Sequence, residues 1–534
     1  MIQFRALLLL FTLVFSACLP AYAQQEDRKK IAREMEYSIK RELLNKWYPK
    51  AIDRQHGGFL STFTYDFKPT GPQDKMIVTQ ARHTWANAKA AVLYPEVNYY
   101  KDGAVHGFKF LKDVMWDKQH GGFYTLVDRQ GDPKGAAGEQ KSAYGNSFGI
   151  YALTAHYIAT GDTSALNLAK RTFYWLETYS HDPKHRGYFQ HLQRNGAVIE
   201  RTPELPSTSD VGYKDHNSSI HLLEAFTDLY QVWPDSLLRL RLKEMLVLVR
   251  DTITNNEGYM QLFFQPDWTP VTFRDSSEAA ILKHRYLDHV SFGHDVETAY
   301  LMLEASHVLG LKNDTLTMAV AKKMVDHSLR NGWDNQLGGF YDEGYYFADK
   351  PGMSIIKDGK NWWSQAEGLN SLLLMADHFP EDEMDYFGKF QQLWEYCQHY
   401  LIDHVYGDWY QGGLDKEPEQ KTALKGQIWK ANYHQLRALI NCVQRLQPDT
   451  TAPSSPARLY AAPKNNMLVL NWVKARDDRK LLGYNIYQND KKIGFTPLTS
   501  FAVKHAKPGR KNTYLVKAVD YQGNESGAGK AVMY

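Results

Sequence analysis

Six segments of the chain begin with polar or aromatic residues and continue as apolar stretches whose spacing follows the helical period. "YGNSFGIYALTAHYI", which starts at Tyr144, is typical of them. The six segments start at Gln80, Tyr144, Asn217, Phe292, Trp362 and Asn432. A second helical stretch lies between most of them, such as "ALNLAKRTFYWLETYS" from Ala165. The pattern therefore predicts helices that come in six pairs.

A glycine-containing turn precedes each of the six segments, as in "DKQHGGFYTLVDRQGDP" at Asp117. The matching glycines are Gly58, Gly122, Gly187, Gly258, Gly339 and Gly407. Each segment begins 22 to 35 residues after its glycine. We predict that the turn connects an outer helix to an inner helix, with glycine supplying the positive φ and the following aromatic residue packing beneath it.

Six helical hairpins of about 70 residues each can close into a ring. An open α-solenoid is the alternative, but its repeats are usually shorter than about 50 residues. The sequence thus predicts an all-α (α/α)6 barrel over residues 24–447. Its six inner helices run in one direction, so all six N-termini lie on one rim, where we expect the chemistry.

The composition and the hydrophobic pattern of the sequence change after residue 447. A segment rich in Pro, Ser and Thr over residues 448–456 predicts a linker. Alternating runs such as "NMLVLNWV" and "GYNIYQNDKKIGF" then predict a small all-β sandwich over residues 457–534, with Trp472 in its core. The motifs "LNW", "GYNIY" and "YLVKAVDYQGNES" resemble fibronectin type III modules. We expect a spacer or docking role, with glycan or protein as the partner.

Composition narrows the function only slightly. The net charge of +3 is small for 534 residues, so nothing points to nucleic acid or to an anionic membrane. The chain has 13 Trp and 34 Tyr, which suits stacking on sugar rings, although most aromatic residues belong to cores. Cys397 and Cys442 lie in apolar helical stretches and are expected to be buried free thiols, although one disulfide between them is possible.

The N-terminus has the shape of a secretory signal peptide over residues 1–23, with "AYA" before Gln24. We therefore expect a secreted or periplasmic protein that is cleaved after Ala23. The sequence "FSAC" leaves open a lipid anchor at Cys18 as the lesser possibility. No later run is long and apolar enough to cross a bilayer.

The predicted rim gathers residues suited to proton transfer and sugar binding. His294 and Glu297 are three residues apart and share a helix face, so the carboxylate could orient the imidazole or link neighbouring helices. His434 lies close to a helix start, where the dipole disfavours imidazolium and leaves a neutral base near pH 7. The complete set of candidates is Arg82, Tyr144, Asn217, His221, His294, Glu297, Trp363, Glu367, Trp429 and His434.

Four of these stretches, in order and spacing, carry a resemblance. "QARHTWANA", "SFGHDVETA", "WWSQAEGLN" and "WKANYHQLRAL" resemble the N-acylglucosamine 2-epimerase family. Within that family, "NSSIHLLEAFTDLYQVW" followed by "FFQPDW" is most similar to the cellobiose 2-epimerases. The resemblance extends from Glu26 to Leu446 and excludes the last module.

The resemblance implies roles for the candidate residues. His294 and His434 would be the acid/base pair at C2 of the reducing-end sugar, and His221 would assist ring opening. Arg82 would hold the enediolate oxygen, and Glu297 would support His294.

Trp363 and Trp429 would stack on the two sugar rings, while Tyr144, Asn217 and Glu367 would contact or orient substrate. Ser219 departs from the family pattern, which usually has a second histidine there, two residues before His221. This departure puts the supporting contacts and the subtype in doubt, but not the reaction class.

These residue types fit the reaction independently. Proton transfer at C2 of an open-chain aldose needs a base, an acid and a cation that stabilises the enediolate. No nucleotide-binding glycine fingerprint follows a strand, and the histidines lack a short ligand spacing. We therefore expect neither a cofactor nor a metal.

Three other functions remain open from the sequence. An aldose–ketose isomerase acting on mannose would use the same enediol, reprotonated at C1. A glycoside hydrolase or lyase would use carboxylates such as Glu367, Asp408 or Glu297 around the scissile bond. A non-catalytic glycan-binding protein would keep its affinity and function when His434 is replaced by Ala.

Overall fold

The computed structural model describes residues 24–465, 467–503 and 512–534. The predicted signal peptide over residues 1–23, with Cys18, lies outside this range. Two parts are present, a helical barrel and a C-terminal β-sandwich. In chain order the longer helices are α1 (residues 24–37, continued by Ser38–Leu44 and Asn45–Trp47), α2 (Ile77–Leu93), α3 (Asn98–Phe110, continued by Leu111–Met115), α4 (Ala143–Thr160), α5 (Thr163–Tyr179), α6 (His216–Val232), α7 (Ser236–Leu248, continued by Val249–Ile253), α8 (Glu278–Asp288), α9 (Phe292–Val308), α10 (Thr315–Asn331), α11 (Trp362–His378), α12 (Tyr386–Tyr396, continued by Cys397–Leu401) and α13 (Tyr433–Leu446).

Six of these helices form an inner ring. In order around the ring they are α2, α4, α6, α9, α11 and α13; each contacts the next, and α13 contacts α2. Residues 143–157 of α4 are buried on every face, whereas the outer helix α5 buries only one stripe. The solved structures compared below have the same fold, so the predicted (α/α)6 barrel is confirmed. Helix α8 is an addition in the fourth repeat that the sequence pattern did not predict.

The glycine turns connect outer to inner helices, as predicted. Gly121 and Gly122 have φ of 68° and 70°, and Phe123 beneath them is 1% exposed. A Cβ on Gly122 would stand 2.8 Å from Cε2 of Trp175, so both the conformation and the space require glycine. The turns therefore fix the position of each inner helix at its N-terminal end.

A buried ion pair recurs at these turns. In the third repeat, Nζ of Lys214, two residues before α6, lies 2.7 Å from Oδ2 of Asp182 in the turn. The other pairs are Lys75–Asp53, Lys141–Asp117, Lys360–Asp334 and Lys425–Asp403. The fourth repeat has Asn255 and Val290 at the corresponding positions. The lysine and the aspartate are both replaced in this repeat, so neither charge is buried without its partner.

The C-terminal module is a sandwich of two antiparallel sheets. The strands are β1 (Ala457–Lys464), β2 (Met467–Val473), β3 (Leu481–Gln488), β4 (Lys491–Thr496), β5 (Ser500–Val503), β6 (Thr513–Asp520) and β7 (Val532–Met533). One sheet has the order β1–β2–β5 and the other β4–β3–β6–β7. Trp472 is 6% exposed and packs edge-on against Tyr484 at 5.1 Å, which agrees with the predicted fibronectin type III-like module.

The module packs on the barrel of its own chain, at the end opposite the N-termini of the inner helices. Phe495 and Val519 belong to the same buried cluster as the barrel core, and Leu482 and Tyr521 pack against it. The Tyr157 hydroxyl at the end of α4 donates to the Phe495 carbonyl oxygen at 2.7 Å. The module thus closes one end of the barrel.

Two further expectations concern the described residues. Cys397 and Cys442 are buried free thiols, as predicted. Over the same described residues, no helix is both long enough and apolar enough to cross a membrane.

Candidate active site

The candidate residues gather at the open end of the barrel. Nine of the ten lie in the first two turns of inner helices, and Trp429 lies in the loop before α13. Trp429 is 48% exposed, whereas Arg82 is 5% exposed and His434 is 7% exposed. We call the space between these ten side chains the pocket; its charged groups are buried, and Trp429 is exposed at its edge.

His434 has a defined hydrogen-bonding arrangement. Its Nδ1 lies 2.8 Å from Oε1 of Glu367, and its Nε2 lies 3.3 Å from NH2 of Arg82. A guanidinium only donates, so Nε2 presents a lone pair and the ring proton is on Nδ1. Burial lowers the pKa of His434 well below its usual range. The ring is therefore a neutral base with Nε2 as its acceptor atom.

Glu367 supports this ring as a largely protonated acid near neutral pH. Burial raises the pKa of Glu367 to about 8, against the opposing effect of Arg437. Its Oε1 accepts from His434 and from NH2 of Arg437 at 2.6 Å. Its Oε2 is buried without a hydrogen-bond partner among the described residues, so it has room for the proton.

Arg437 is the centre of the buried charge network. Its guanidinium donates to Glu224 and to Glu297, and NH1 donates to the Tyr433 hydroxyl at 2.6 Å. Burial raises the pKa of Glu224, but Arg437 and then His221 outweigh it and lower that pKa to about 2. Arg437 thus fixes the carboxyl groups of Glu224, Glu297 and Glu367, from three inner helices, beneath the pocket.

His294 is held differently from the expectation. Its Nδ1 lies 2.8 Å from the Ser291 hydroxyl, and its ring lies between those of His216 and Trp363, with each centroid 4.6 Å away. Burial lowers the pKa of His294 well below its usual range. His294 is therefore a second neutral imidazole in the pocket.

The expected support of His294 by Glu297 is wrong in this structure. The Glu297 carboxylate binds Arg437 and lies 3.8 Å from Nδ1 of His434. The buried guanidinium attracts the carboxylate toward the barrel axis, while His294 leans toward the N-terminus of α9 and Ser291. Helical spacing places His294 and Glu297 on one face, but their contacts depend on the other side chains near them.

His221 and Arg82 line the wall on the α2, α4 and α6 side. Nδ1 of His221 lies 2.9 Å from Oε2 of Glu224, so this histidine also has a carboxylate partner. Arg82 donates to the Trp429 carbonyl oxygen at 2.7 Å and to the Tyr144 hydroxyl at 3.2 Å. The guanidinium is thus fixed at the pocket wall next to His434.

The remaining candidates line the pocket as well. The pKa of Tyr144 is raised, because the effect of burial exceeds the opposing effect of the hydrogen bond with Asn217. The Trp363 ring lies 5.9 Å from that of His434 as well as 4.6 Å from that of His294. Ser219 is buried, and its hydroxyl donates to the Asp215 carbonyl oxygen at 2.7 Å, so its hydrogen bond is made within its own segment of the chain. Asp408 pairs with Lys430 inside a turn and lies outside the pocket network.

The cluster of Glu297, Glu367 and His434 has the ligand atoms of a metal site, all within 4.8 Å. Arg437 already supplies a cation there, with NH2 at 2.6 Å from Oε1 of Glu367. A divalent ion would add charge next to a guanidinium that these same oxygens bind. The donor set therefore fits Arg437 rather than a metal.

Sequence reasoning missed several residues that shape the pocket. Arg437 follows His434 by three residues and so shares its helix face, which was an available signal. Glu224 bears the same relation to His221. Ser291 precedes His294 by three residues, which was the same kind of signal. His216 had no such signal, because its role depends on a contact between α6 and α9.

Comparisons with known proteins agree with this geometry. The family model for N-acylglucosamine 2-epimerase matches residues 57–438. A cellobiose 2-epimerase of Bacteroides fragilis is 27% identical over 421 residues, covering 77% of this chain and 98% of the relative. A D-mannose isomerase of Marinomonas mediterranea is 24% identical over 404 residues, covering 75% and 94%.

Solved structures agree as well. The cellobiose 2-epimerase of Spirochaeta thermophila superposes with a TM-score of 0.67 and 26% identity, covering 79% of this chain and 98% of that one. The corresponding enzyme of Bacillus thermoamylovorans gives a TM-score of 0.67 and 25% identity, covering 78% and 100%. Both structures match the barrel of this chain over nearly their whole length.

Proposed function

The chain belongs to the N-acylglucosamine 2-epimerase family and is a sugar epimerase or isomerase, and from this premise we propose that it interconverts glucose and mannose at the reducing end of β-1,4-linked disaccharides. The observation that carries the proposal is the pair of neutral imidazoles. His294 and His434 lie on different helices, and the Trp363 ring lies 4.6 Å from the first and 5.9 Å from the second. Two bases around one pocket suit proton transfer on both faces of one carbon.

The proposed reaction begins on the open-chain sugar. One histidine takes the C2 proton, the C–H electron pair forms the C1–C2 double bond, and the carbonyl electrons move to O1. Arg82 stabilises the resulting enediolate oxygen through its fixed guanidinium. The other histidine must first take a proton from solvent, and its imidazolium then donates this proton to the opposite face of C2, which inverts the configuration. The first histidine afterwards releases the former C2 proton to solvent. In the reverse direction the two histidines exchange roles.

His221 has the contacts expected of a ring-opening group. Its Nδ1 is bound to Glu224, whose charge is held by Arg437, so Nε2 is free to exchange a proton with the sugar ring oxygen or O1. Its ring lies 5.2 Å from that of Tyr144, on the same wall as Arg82. This geometry supports a separate residue for opening the ring before C2 chemistry begins.

A disaccharide substrate is supported by the two tryptophans. Trp363 lies beside the histidine pair, whereas Trp429 is 48% exposed at the lip, next to Arg82 through its carbonyl oxygen. A sugar stacked on Trp363 would place its reducing end at the histidines, and a second ring would extend toward Trp429.

A second candidate is an aldose–ketose isomerase. One of the relatives is a D-mannose isomerase, and the same enediolate gives a ketose when C1 rather than C2 is reprotonated. The position of the acid relative to C1 and C2 decides between the two products.

The test is product analysis with purified protein. Cellobiose, β-1,4-mannobiose and free mannose are each incubated with the protein, and the products are identified by NMR. The proposal expects the C2 epimer of one or both disaccharides. A ketose from mannose, with no change in either disaccharide, would move the function to the isomerase. Release of monosaccharides would contradict both candidates.

A further inference from the structure

His216 begins α6 and lies against a proposed acid/base residue, although no role in the mechanism has yet been given to it. Its ring is perpendicular to that of His294, with centroids 4.6 Å apart and planes at 86°. It is 5% exposed, and the ring of Trp363 covers His294 from another side. His294 is therefore held between rings from α6 and α11.

The tautomer of His216 follows from its contacts. Its Nδ1 lies 2.9 Å from the Leu262 carbonyl oxygen, which can only accept, so Nδ1 carries the proton. Burial lowers the pKa of His216 to about 3, so the ring is neutral at pH 7. Its Nε2 consequently presents a lone pair.

Nε2 of His216 is buried and has no hydrogen-bond partner among the described residues. A buried acceptor without a partner destabilises the fold, and such groups in native proteins often have a functional reason. Ser219, one turn further along α6, does not fill this need, because its hydroxyl donates to Asp215.

Carboxylates stand close in the chain, since Asp215 precedes His216 and Asp295 follows His294, but the electrostatic neighbours of His294 are histidines. His221 on α6, His289 after α8 and His434 on α13 influence His294 or are influenced by it. No carboxylate takes part in a hydrogen bond with His294 among the described residues, since Nδ1 of His294 faces Ser291. A positive charge on His294 thus has no hydrogen-bonded carboxylate as its partner among the described residues.

We propose that His216 is a positioning residue for His294: it fixes the orientation of the imidazole and, with its free lone pair, stabilises the imidazolium that forms when His294 takes the C2 proton. This inference rests on the proposed function. No co-reactant other than solvent water is needed, because the proton that His294 accepts comes from the sugar and is later given to solvent, which also supplies the proton that the second histidine donates.

Two variants separate the shape of His216 from its lone pair. His216→Phe keeps a ring but removes both nitrogens, whereas His216→Gln keeps a polar acceptor at a similar distance from Cα. His156→Met is the matched control, since His156 is also buried with an unpartnered ring nitrogen, Nδ1, but packs on Phe108.

We expect His216→Phe to lower kcat about 10- to 100-fold with KM changed less than about twofold, as for a misplaced catalytic group. His216→Gln should retain a higher kcat than His216→Phe, and His156→Met should match the wild type. A His216→Phe enzyme with wild-type kcat, or a His216→Gln enzyme no better than His216→Phe, would overturn the proposal.

A second measurement does not depend on turnover. In protein labelled with 15N-histidine, long-range 1H–15N spectra report the tautomer and environment of each ring. We expect the Nδ1–H tautomer for His216, and His294 signals that shift in His216→Phe but not in His156→Met. Unshifted His294 signals would refute the positioning role. A wild-type protein that is inactive on all sugars would instead refute the proposed function, while these spectra would still decide the contact.

Discussion

At the scale of single residues, the chemistry of the pocket depends on which atom of each imidazole is free. Arg82 donates to Nε2 of His434, and Glu367 accepts from Nδ1, so the tautomer is set from both sides. The sequence could predict that His434 lies near a helix start. It could not predict the tautomer, because Arg82 and Glu367 come from helices distant in the chain.

Arg437 provides the first prediction at this scale. Arg437→Met would leave Glu224 and Glu297 buried without their cation, so we expect the free energy of unfolding to fall by about 3–5 kcal/mol. Arg445→Met is the control, because Arg445 lies on the same helix but its ion pairs are 3.9 Å long. Urea unfolding measures both variants, and similar losses for the two would contradict the central role of Arg437.

Glu367 provides a prediction about pH. Its pKa of about 8 in the folded protein exceeds the ordinary 4.5, so the folded state binds this proton more tightly than the unfolded state does. The resulting stability is present below about pH 4.5 and is lost as pH rises through about 8.

Between about pH 5 and 8, the wild type should therefore lose more unfolding free energy than Glu367→Gln does. Urea unfolding across this range, at constant ionic strength, measures the difference between the two proteins. Parallel curves for wild type and variant would show that the pKa of Glu367 is not raised.

At the scale of elements, the turn between outer and inner helix is the repeated unit. The sequence predicted its glycine and aromatic residue, because those residues follow local rules for positive φ and for packing. It did not predict the Lys–Asp pairs. The two partners are separated by 22 residues in the first repeat and 32 in the third, so no fixed spacing reveals them.

The fourth repeat suggests how to test these pairs. Lys214→Val should destabilise the protein by about 3–5 kcal/mol, because Asp182 would stay buried without its partner. The double variant Lys214→Val, Asp182→Asn copies the natural combination of Val290 and Asn255 and should recover most of that loss. Thermal and urea unfolding compare the two. A double variant as unstable as the single one would mean that the charge balance of this turn is unimportant.

At the scale of the whole molecule, the C-terminal module closes the barrel at the end opposite the pocket. Leu482 and Tyr521 border a cavity of about 180 Å³ in the barrel lumen, which Arg437 also lines. The docking role toward glycan or protein that the sequence predicted stays a prediction, and in this structure the module packs on the barrel of the same chain. Only the folded surface could reveal this, since neither half carries a motif for the other.

The contact between the two parts should be measurable as stability. Phe495 is 4% exposed and belongs to the barrel's buried cluster, so Phe495→Ala should cost about 3–5 kcal/mol in unfolding free energy. Met533→Ala in the same module is the control, because Met533 is 76% exposed. If Phe495→Ala affected only a separate transition of the module, the two parts would not be stabilising each other.

The central claim is proton transfer at C2 by two histidines, and one measurement tests it most directly. Each epimer of the preferred disaccharide is incubated in D2O with the wild type, His294→Asn and His434→Asn, and NMR follows H2 and the product configuration. We predict deuterium at C2 with inversion in the wild type, and loss of inversion in both variants. Each variant should still exchange H2 in the epimer that its remaining histidine deprotonates. Undiminished inversion in either variant, or inversion in the wild type without deuterium at C2, would contradict the account.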